Sequence, residues 1–231
     1  MKEKNFLRVF SILLSILMLI AYSPISVFAT EDGFVSETHD VFKDTESKLA
    51  PGVTQNIKYA YAKDGKQMVY YVTTADVSRE DVVVQTSYYK QHENGVLGME
   101  KLTKQMAYAK EKYSNPDDEH FISKYYTPVA GVNASFYNMT TGQPTGITYI
   151  DGVSFGTKAY NNFFAILKDG SAVIDYAENE SKYTGDKAIE QAVAGSEWLV
   201  RDGKDVTVEA SGDYNKDRHS RTCVGITKEG K

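Results

Sequence analysis

Cysteine is almost missing. Cys223 is the single one among 231 residues, so no internal disulfide can form. Stability must come from a packed core and not from covalent staples. Histidine is sparse too. His39, His92, His120 and His219 stand far apart with no ligand spacing, so a histidine-based zinc site has no support and no metal is assigned. Walker-type and dinucleotide-binding glycine motifs do not occur, and no cofactor follows from what remains. Positive charge is in deficit, with 26 Lys and Arg against 31 Asp and Glu and a formal net charge of −5. Such a balance makes nucleic acid and anionic membrane surfaces poor partners.

The first residues differ from the rest. Lys2, Lys4 and Arg8 make a basic start, Phe6 to Ile20 is an almost unbroken apolar run, and Val27-Phe28-Ala29 is a small-residue cleavage site. This pattern predicts a signal peptide over 1–29 and an exported, cell-wall-associated or secreted protein. The apolar core is short for a membrane span, and none is expected once the leader is removed. Losing three bases and Glu3 makes the remainder more acidic still. A chain of that length can bury a sufficient single-domain core.

Residues 30–54 are polar and acidic without apolar periodicity, which predicts a linker or arm. From 55 onward the pattern is of hairpins. Ile57 to Ala62 and Gln67 to Thr74 alternate around Asp64-Gly65. Val82 to Ser87 reads as a strand. Met99, Leu102, Met106 and Ala109 recur at helical spacing, which predicts a helix over 99–113 that ends at Ser114-Asn115-Pro116. Val129 to Val132 and Ile147 to Ile150 read as strands around a polar loop. Phe163 to Lys168 with Ser171 to Tyr176, and Trp198 to Arg201 with Asp205 to Glu209, read as hairpins on primed Asp-Gly turns. Asp186 to Ala194 reads as a short helix closed by Gly195. Thr222 to Thr227 reads as a last strand, followed by a turn at Lys228-Glu229-Gly230. The expected architecture is α+β, a mainly antiparallel sheet of hairpins with one or two helices packed on it.

Two stretches concentrate polar side chains. The first is Pro128 to Gly156, where an apolar run ends at Asn133-Ala134-Ser135-Phe136-Tyr137, followed by Pro144-Thr145-Gly146 and a strand that stops at Asp151-Gly152. A polar residue at a strand end beside a Gly/Pro loop is a common way for a sheet to present chemistry. Asn133 offers a donor and an acceptor, and it can equally cap its own turn. The second is Arg218-His219-Ser220-Arg221-Thr222-Cys223-Val224-Gly225, which gathers positive charge in an acidic chain. Arg221 is a planar bidentate donor suited to a phosphate. A solvated, charged turn would look the same. Cys223 has no adjacent base in sequence and is not read as a nucleophile.

Together these two stretches resemble the motifs of the phosphodiester glycosidase family, of the N-acetylglucosamine-1-phosphodiester alpha-N-acetylglucosaminidase type. The family's Asn-Gly-x-Phe motif is met by Asn133 to Phe136, with Ala134 and Ser135 where glycines are common. Its His-Pro-Arg-Thr signature is met by His219 to Thr222, with Ser220 in place of proline. The resemblance covers roughly 55–231 and lacks the family's final third, so the domain is expected to be incomplete at its C-terminus. It implies an exported hydrolase that cleaves the sugar–phosphate bond of a sugar-1-phosphodiester in envelope or exopolysaccharide metabolism of a bacterial cell. Arg221, His219 and Asn133 would be catalytic, and Thr222, Thr145, Gly146 and Ser135 would bind the carbohydrate or sugar-phosphate substrate. Glycoside cleavage commonly uses two carboxylates. Asp151 is expected to serve its turn, while Glu197, Asp175 and Glu178 are weak candidates. Seventeen tyrosines could stack on sugars, although strands favour tyrosine in any case. The rival reading is a polysaccharide-binding module or an inactive family member.

Overall fold

The computed structural model describes residues 40–62, 64–87, 99–157, 159–160, 162–206 and 220–230. The leader read over 1–29 lies outside them. The first sheet has three antiparallel strands in the order β1 (Asp40–Ala50), β2 (Val53–Tyr61) and β3 (Gln67–Ala75). The hairpin around Asp64-Gly65 is therefore present, with Gly65 at φ +77°. The stretch read as a linker contributes β1, which pairs along the whole of β2. It is polar because it is an exposed edge strand, where charge blunts unwanted pairing.

The second sheet runs β5 (Val153–Ser154), β4 (Tyr149–Ile150), β8 (Ile189–Gly195), β6 (Asn162–Leu167) and β7 (Ala172–Tyr176). All its pairs are antiparallel. A two-stranded ribbon, β9 (Val200–Arg201) and β10 (Lys204–Asp205), follows. One helix, α1 (Leu102–Ser114), and two short 3-10 turns, Ala177–Lys182 and Gly185–Lys187, complete the described elements. None of these helices is long and apolar enough to cross a membrane. The architecture is α+β and mainly antiparallel, as the hairpin pattern implies.

The core lies on one face of the second sheet. Phe163, Ala165 and Leu167 of β6 face Ile189 and Ala192 of β8, with Ile147 and Ala177 closing the cluster. Phe163 is 1% exposed and meets the edge of Tyr183 with ring centroids 5.8 Å apart. Small residues let the strands approach, and Ala165 stands directly opposite Ala192.

β8 replaces the short helix expected over Asp186 to Ala194. Its Ala, Glu and Gln content favours helix only weakly, and burial in the sheet overrides a preference of that size. Three further expectations differ. Val82 to Ser87, Val129 to Val132 and Thr222 to Thr227 join no ladder among the described residues. Val132 and Val224 are exposed, so the last two runs are not core strands, whereas Val82 is buried without joining a ladder. The turn over Thr227 to Gly230 does form, with Gly230 N donating to Thr227 O at 3.0 Å and φ +78° at Gly230. Asp151-Gly152 and Asp202-Gly203 are primed turns with positive φ at both residues. Asp169-Gly170 is not, since only Gly170 is left-handed, which marks a longer loop with a glycine bulge.

Helix α1 starts later than its apolar pattern suggests. Met99 lies before it and is exposed, and Ala109 and Tyr113 are its buried residues. The helix is held by a carboxylate. Asp151, in the turn between β4 and β5, accepts from Lys112 Nζ at 2.5 Å and from the Tyr113 hydroxyl at 3.0 Å. It also accepts from Gln191 Nε2 at 2.8 Å, and His120 Nδ1 lies 3.8 Å away. The Asp151 and Lys112 side chains are only 7% and 9% exposed. Gln191 Oε1 in turn accepts from Thr86 N at 3.1 Å, which ties the preceding segment to β8.

Burial pushes the Asp151 carboxyl upward, but the hydrogen bonds from Lys112, Gln191 and Tyr113 and the Lys112 charge outweigh it, and the net shift is downward. A group lowered in the folded state stabilises fully above its unfolded value, about 3.9, and that contribution is lost as pH falls through the folded value. Acid titration of unfolding free energy should therefore show a loss beginning near pH 4. Asp151→Asn keeps a residue that tolerates the left-handed turn but removes the buried carboxylate charge that Lys112 contacts. It should cost roughly 3 kcal/mol in urea denaturation, and the acid-dependent loss should shrink with it.

Candidate functional site

The loop after Val132 is built by its own side chains. Asn138 Oδ1 accepts from Thr140 N at 2.8 Å and Thr141 N at 3.1 Å, an Asx turn that bends the chain back. Tyr137 bridges Pro144, and Gln143 Nε2 donates to Phe155 O. The Phe136 ring stacks on Tyr160 with centroids 5.4 Å apart. Ser135 Oγ accepts from Ala194 N at 2.8 Å, which anchors the loop to the end of β8.

The two separated motifs meet. Thr222 Oγ1 donates to Asn133 Oδ1 at 2.7 Å, across 89 positions of sequence. Both residues are exposed, as is Arg221, whose Nη1 donates to Ser220 O at 3.3 Å. Among the described residues Asn133 Nδ2 makes no hydrogen bond. The arrangement thus presents an amide donor, a hydroxyl and a guanidinium on neighbouring surface positions. That donor set suits an anion carrying several oxygens. His219 lies outside the described residues.

Thr145 and Gly146 are occupied by structure. Thr145 Oγ1 donates to Phe136 O at 3.0 Å, and Thr145 O accepts from Thr157 Oγ1 at 2.9 Å. Gly146 is buried, and a Cβ there would overlap Ala194 Cβ. Gly156 packs directly on the Gly146 carbonyl, with no room for a side chain between them. The Pro-Thr-Gly loop is therefore a close backbone contact at which only glycine fits.

The carboxylates divide clearly. Asp151 does serve its turn, but it is also the buried partner of Lys112 described above. Nothing local in the sequence marks that second role, because Lys112 is 39 residues away. Asp175 accepts from Asn179 Nδ2, Tyr183 hydroxyl and Tyr176 N, each at 2.7 Å. Burial raises its carboxyl, and those hydrogen bonds more than reverse the rise, so Asp175 stays ionised and is a poor general acid. The same burial, with the Asp175 contact and charge, pushes Tyr183 up to about 12. Glu178 and Glu197 are exposed. Cys223 is an exposed free thiol.

The glycine contact yields a direct expectation. Gly156→Ala should force the loop off Gly146 and destabilise the protein by about 1–3 kcal/mol, read as a lowered melting temperature. Gly170→Ala, where a Cβ would meet nothing but φ is +82°, controls for left-handed strain alone.

A comparison with curated proteins finds no match. Residues 126–231 match the phosphodiester glycosidase family model. The matched stretch takes in Asn133, the Thr145-Gly146 loop and Arg221-Thr222, and its family name specifies a glycosidase-type hydrolase. The likeness to the phosphodiester glycosidase family extends over residues 126–231 of the chain.

Proposed function

We propose that the protein is an exported hydrolase that splits the anomeric C–O bond of a sugar-1-phosphodiester of the N-acetylglucosamine type. Water adds across that bond, so the products are a free sugar and a phosphomonoester. The observation that carries the reading is the 2.7 Å contact between Thr222 Oγ1 and Asn133 Oδ1, which brings the two halves of the polar constellation to one place. Arg221 follows directly in sequence and holds the phosphate through its planar fork. The Thr222 hydroxyl, itself donating to Asn133, accepts or relays a further hydrogen bond at the same rim. Asn133 Nδ2 donates to a sugar or phosphate oxygen. Ser135, anchored on Ala194 N, keeps its own proton for a sugar oxygen.

Thr145 and Gly146 act in this scheme by shaping the loop and not by touching substrate, since their groups are engaged in packing. His219 is assigned to the site by its place in the motif. A phosphate is already a good leaving group, so the scheme asks little of a general acid. The basic start and apolar run of residues 1–29 support export, and the cell surface is the setting in which envelope or exopolysaccharide phosphodiesters occur.

The test is release of free sugar from methyl-phospho-N-acetylglucosamine or from UDP-N-acetylglucosamine. Turnover should fall about a hundredfold in Arg221→Ala, the scale expected when a charge-stabilising donor is removed, with an unchanged circular dichroism spectrum. Absence of sugar release by the unaltered protein on both substrates would overturn the reading.

A further inference from the structure

Phe136 is a large apolar residue that stays 51% exposed. A single exposed phenylalanine is ordinary, but this one is held in place from two sides. Its carbonyl accepts from Thr145 N at 2.9 Å and from Thr145 Oγ1 at 3.0 Å. Its ring lies on Tyr160, with centroids 5.4 Å apart and planes inclined by 23°. Tyr160 is itself seated. A Cβ added at Gly146 would come within 3.1 Å of Tyr160 Cδ2 and would overlap Ala194 Cβ. The stack therefore stands on the Gly146 contact with β8, and the side of Phe136 turned from Tyr160 is the side left to solvent. A ring fixed in this way has little freedom to lose when a ligand covers it.

Its place in the chain ties it to the polar cluster. Asn133 lies three residues earlier, and consecutive Cα atoms stand about 3.8 Å apart, so the two Cα atoms are within roughly 11 Å of each other. One glycosyl phosphate covers such a span. Asn133 in turn meets Thr222, the neighbour of Arg221. Charge divides along the same line. From Tyr125 to Ile150 the sequence holds no Asp, Glu, Lys, Arg or His, and the cation comes from the other motif as Arg221.

We infer that Phe136 is the platform on which the sugar ring of the substrate lies. The face of an aromatic ring carries the negative end of its quadrupole. It repels a phosphate and attracts the C–H groups on the apolar face of a pyranose. A sugar laid on Phe136 buries those C–H groups and leaves its hydroxyls at the rim, where Asn133 Nδ2 and the Ser135 hydroxyl can bond them. Aromatic walls with a few convergent polar groups are the usual make-up of a small-ligand site. The inference rests on the hydrolase reading above and adds a specificity determinant to it. Phe136 touches the glycosyl half, which is common to every substrate of the class, and not the alcohol beyond the phosphate. The contact is the same before and during bond cleavage, so it contributes to binding and not to the chemical step.

Phe136→Leu keeps an apolar side chain and removes the ring, and Phe136→Tyr keeps the ring. Melting temperatures check that both variants fold. On methyl-phospho-N-acetylglucosamine and on UDP-N-acetylglucosamine alike, Phe136→Leu should raise KM about fivefold or more, the scale of one lost aromatic stack. Its kcat should stay within about twofold, the mark of lost uniform binding, and Phe136→Tyr should restore KM. An unchanged KM in Phe136→Leu would overturn the platform. So would a rise confined to UDP-N-acetylglucosamine, which would put the nucleotide on the ring. Saturation-transfer NMR with N-acetylglucosamine-1-phosphate reads the contact without turnover. Irradiating the aromatic protons should reach the sugar C–H protons in the unaltered protein and fade in Phe136→Leu. That result without sugar release from either substrate would keep the platform and remove the hydrolase. Sugar release with KM unmoved in Phe136→Leu would keep the hydrolase and remove the platform.

Discussion

A single carboxylate holds the part of the fold that frames the site. Asp151 receives hydrogen bonds from α1 through Lys112 and Tyr113 and from β8 through Gln191. A buried ion pair stabilises only when its desolvation is offset by good geometry and further hydrogen bonds, and here several donors converge on two oxygens. The turn that carries Asp151 also ends the return strand of the Pro128 to Gly156 stretch. The helix, the central strand and the loop bearing Asn133 are thus referred to one point. The Tyr126 hydroxyl, donating to Gln85 nearby, is pushed up to about 12 by burial and then by the Asp151 charge, so it remains a neutral donor.

Much of the fold was legible in the sequence because turn chemistry is local. Asp151-Gly152 and Asp202-Gly203 need left-handed backbone at both positions, and Asp-Gly permits it, although Asp169-Gly170 uses the same pair in a longer loop. The alternation in β2 and β3 and the helical spacing before Ser114 are local in the same sense. What was not legible depended on partners far away in sequence. β8 has helix-compatible residues and becomes a central strand because β4 and β6 flank it. Val129 to Val132 has a strand-like composition and no ladder partner, so it stays irregular. β1 looks like a linker because its side chains face water, and only its backbone pairing makes it a strand.

The site shows the same division. The donor set of Asn133, Arg221 and Thr222 could be named from residue chemistry and from the family resemblance. Their meeting could not, since it requires 89 intervening positions to fold back. Thr145 and Gly146 carry a structural role that their motif does not spell out: Thr145 bonds to Phe136 and Thr157, and Gly146 lies too close to Ala194 for a side chain. Asn162 Oδ1 and Trp198 Nε1 are buried without a hydrogen-bond partner among the described residues, and no sequence signal marks them, because burial of a particular oxygen or nitrogen is a property of packing alone.

The tight stacking of Gly146 on Gly156 separates two things that sequence comparison merges. The loop is fixed here by main chain lying against main chain, and no side chain takes part in the contact at Gly156. Selection for foldability alone would preserve it, even in a descendant whose chemistry had been lost. Recognition of kinship through this loop and possession of a working centre are then independent properties, and only the exposed polar cluster around Thr222 speaks to the second.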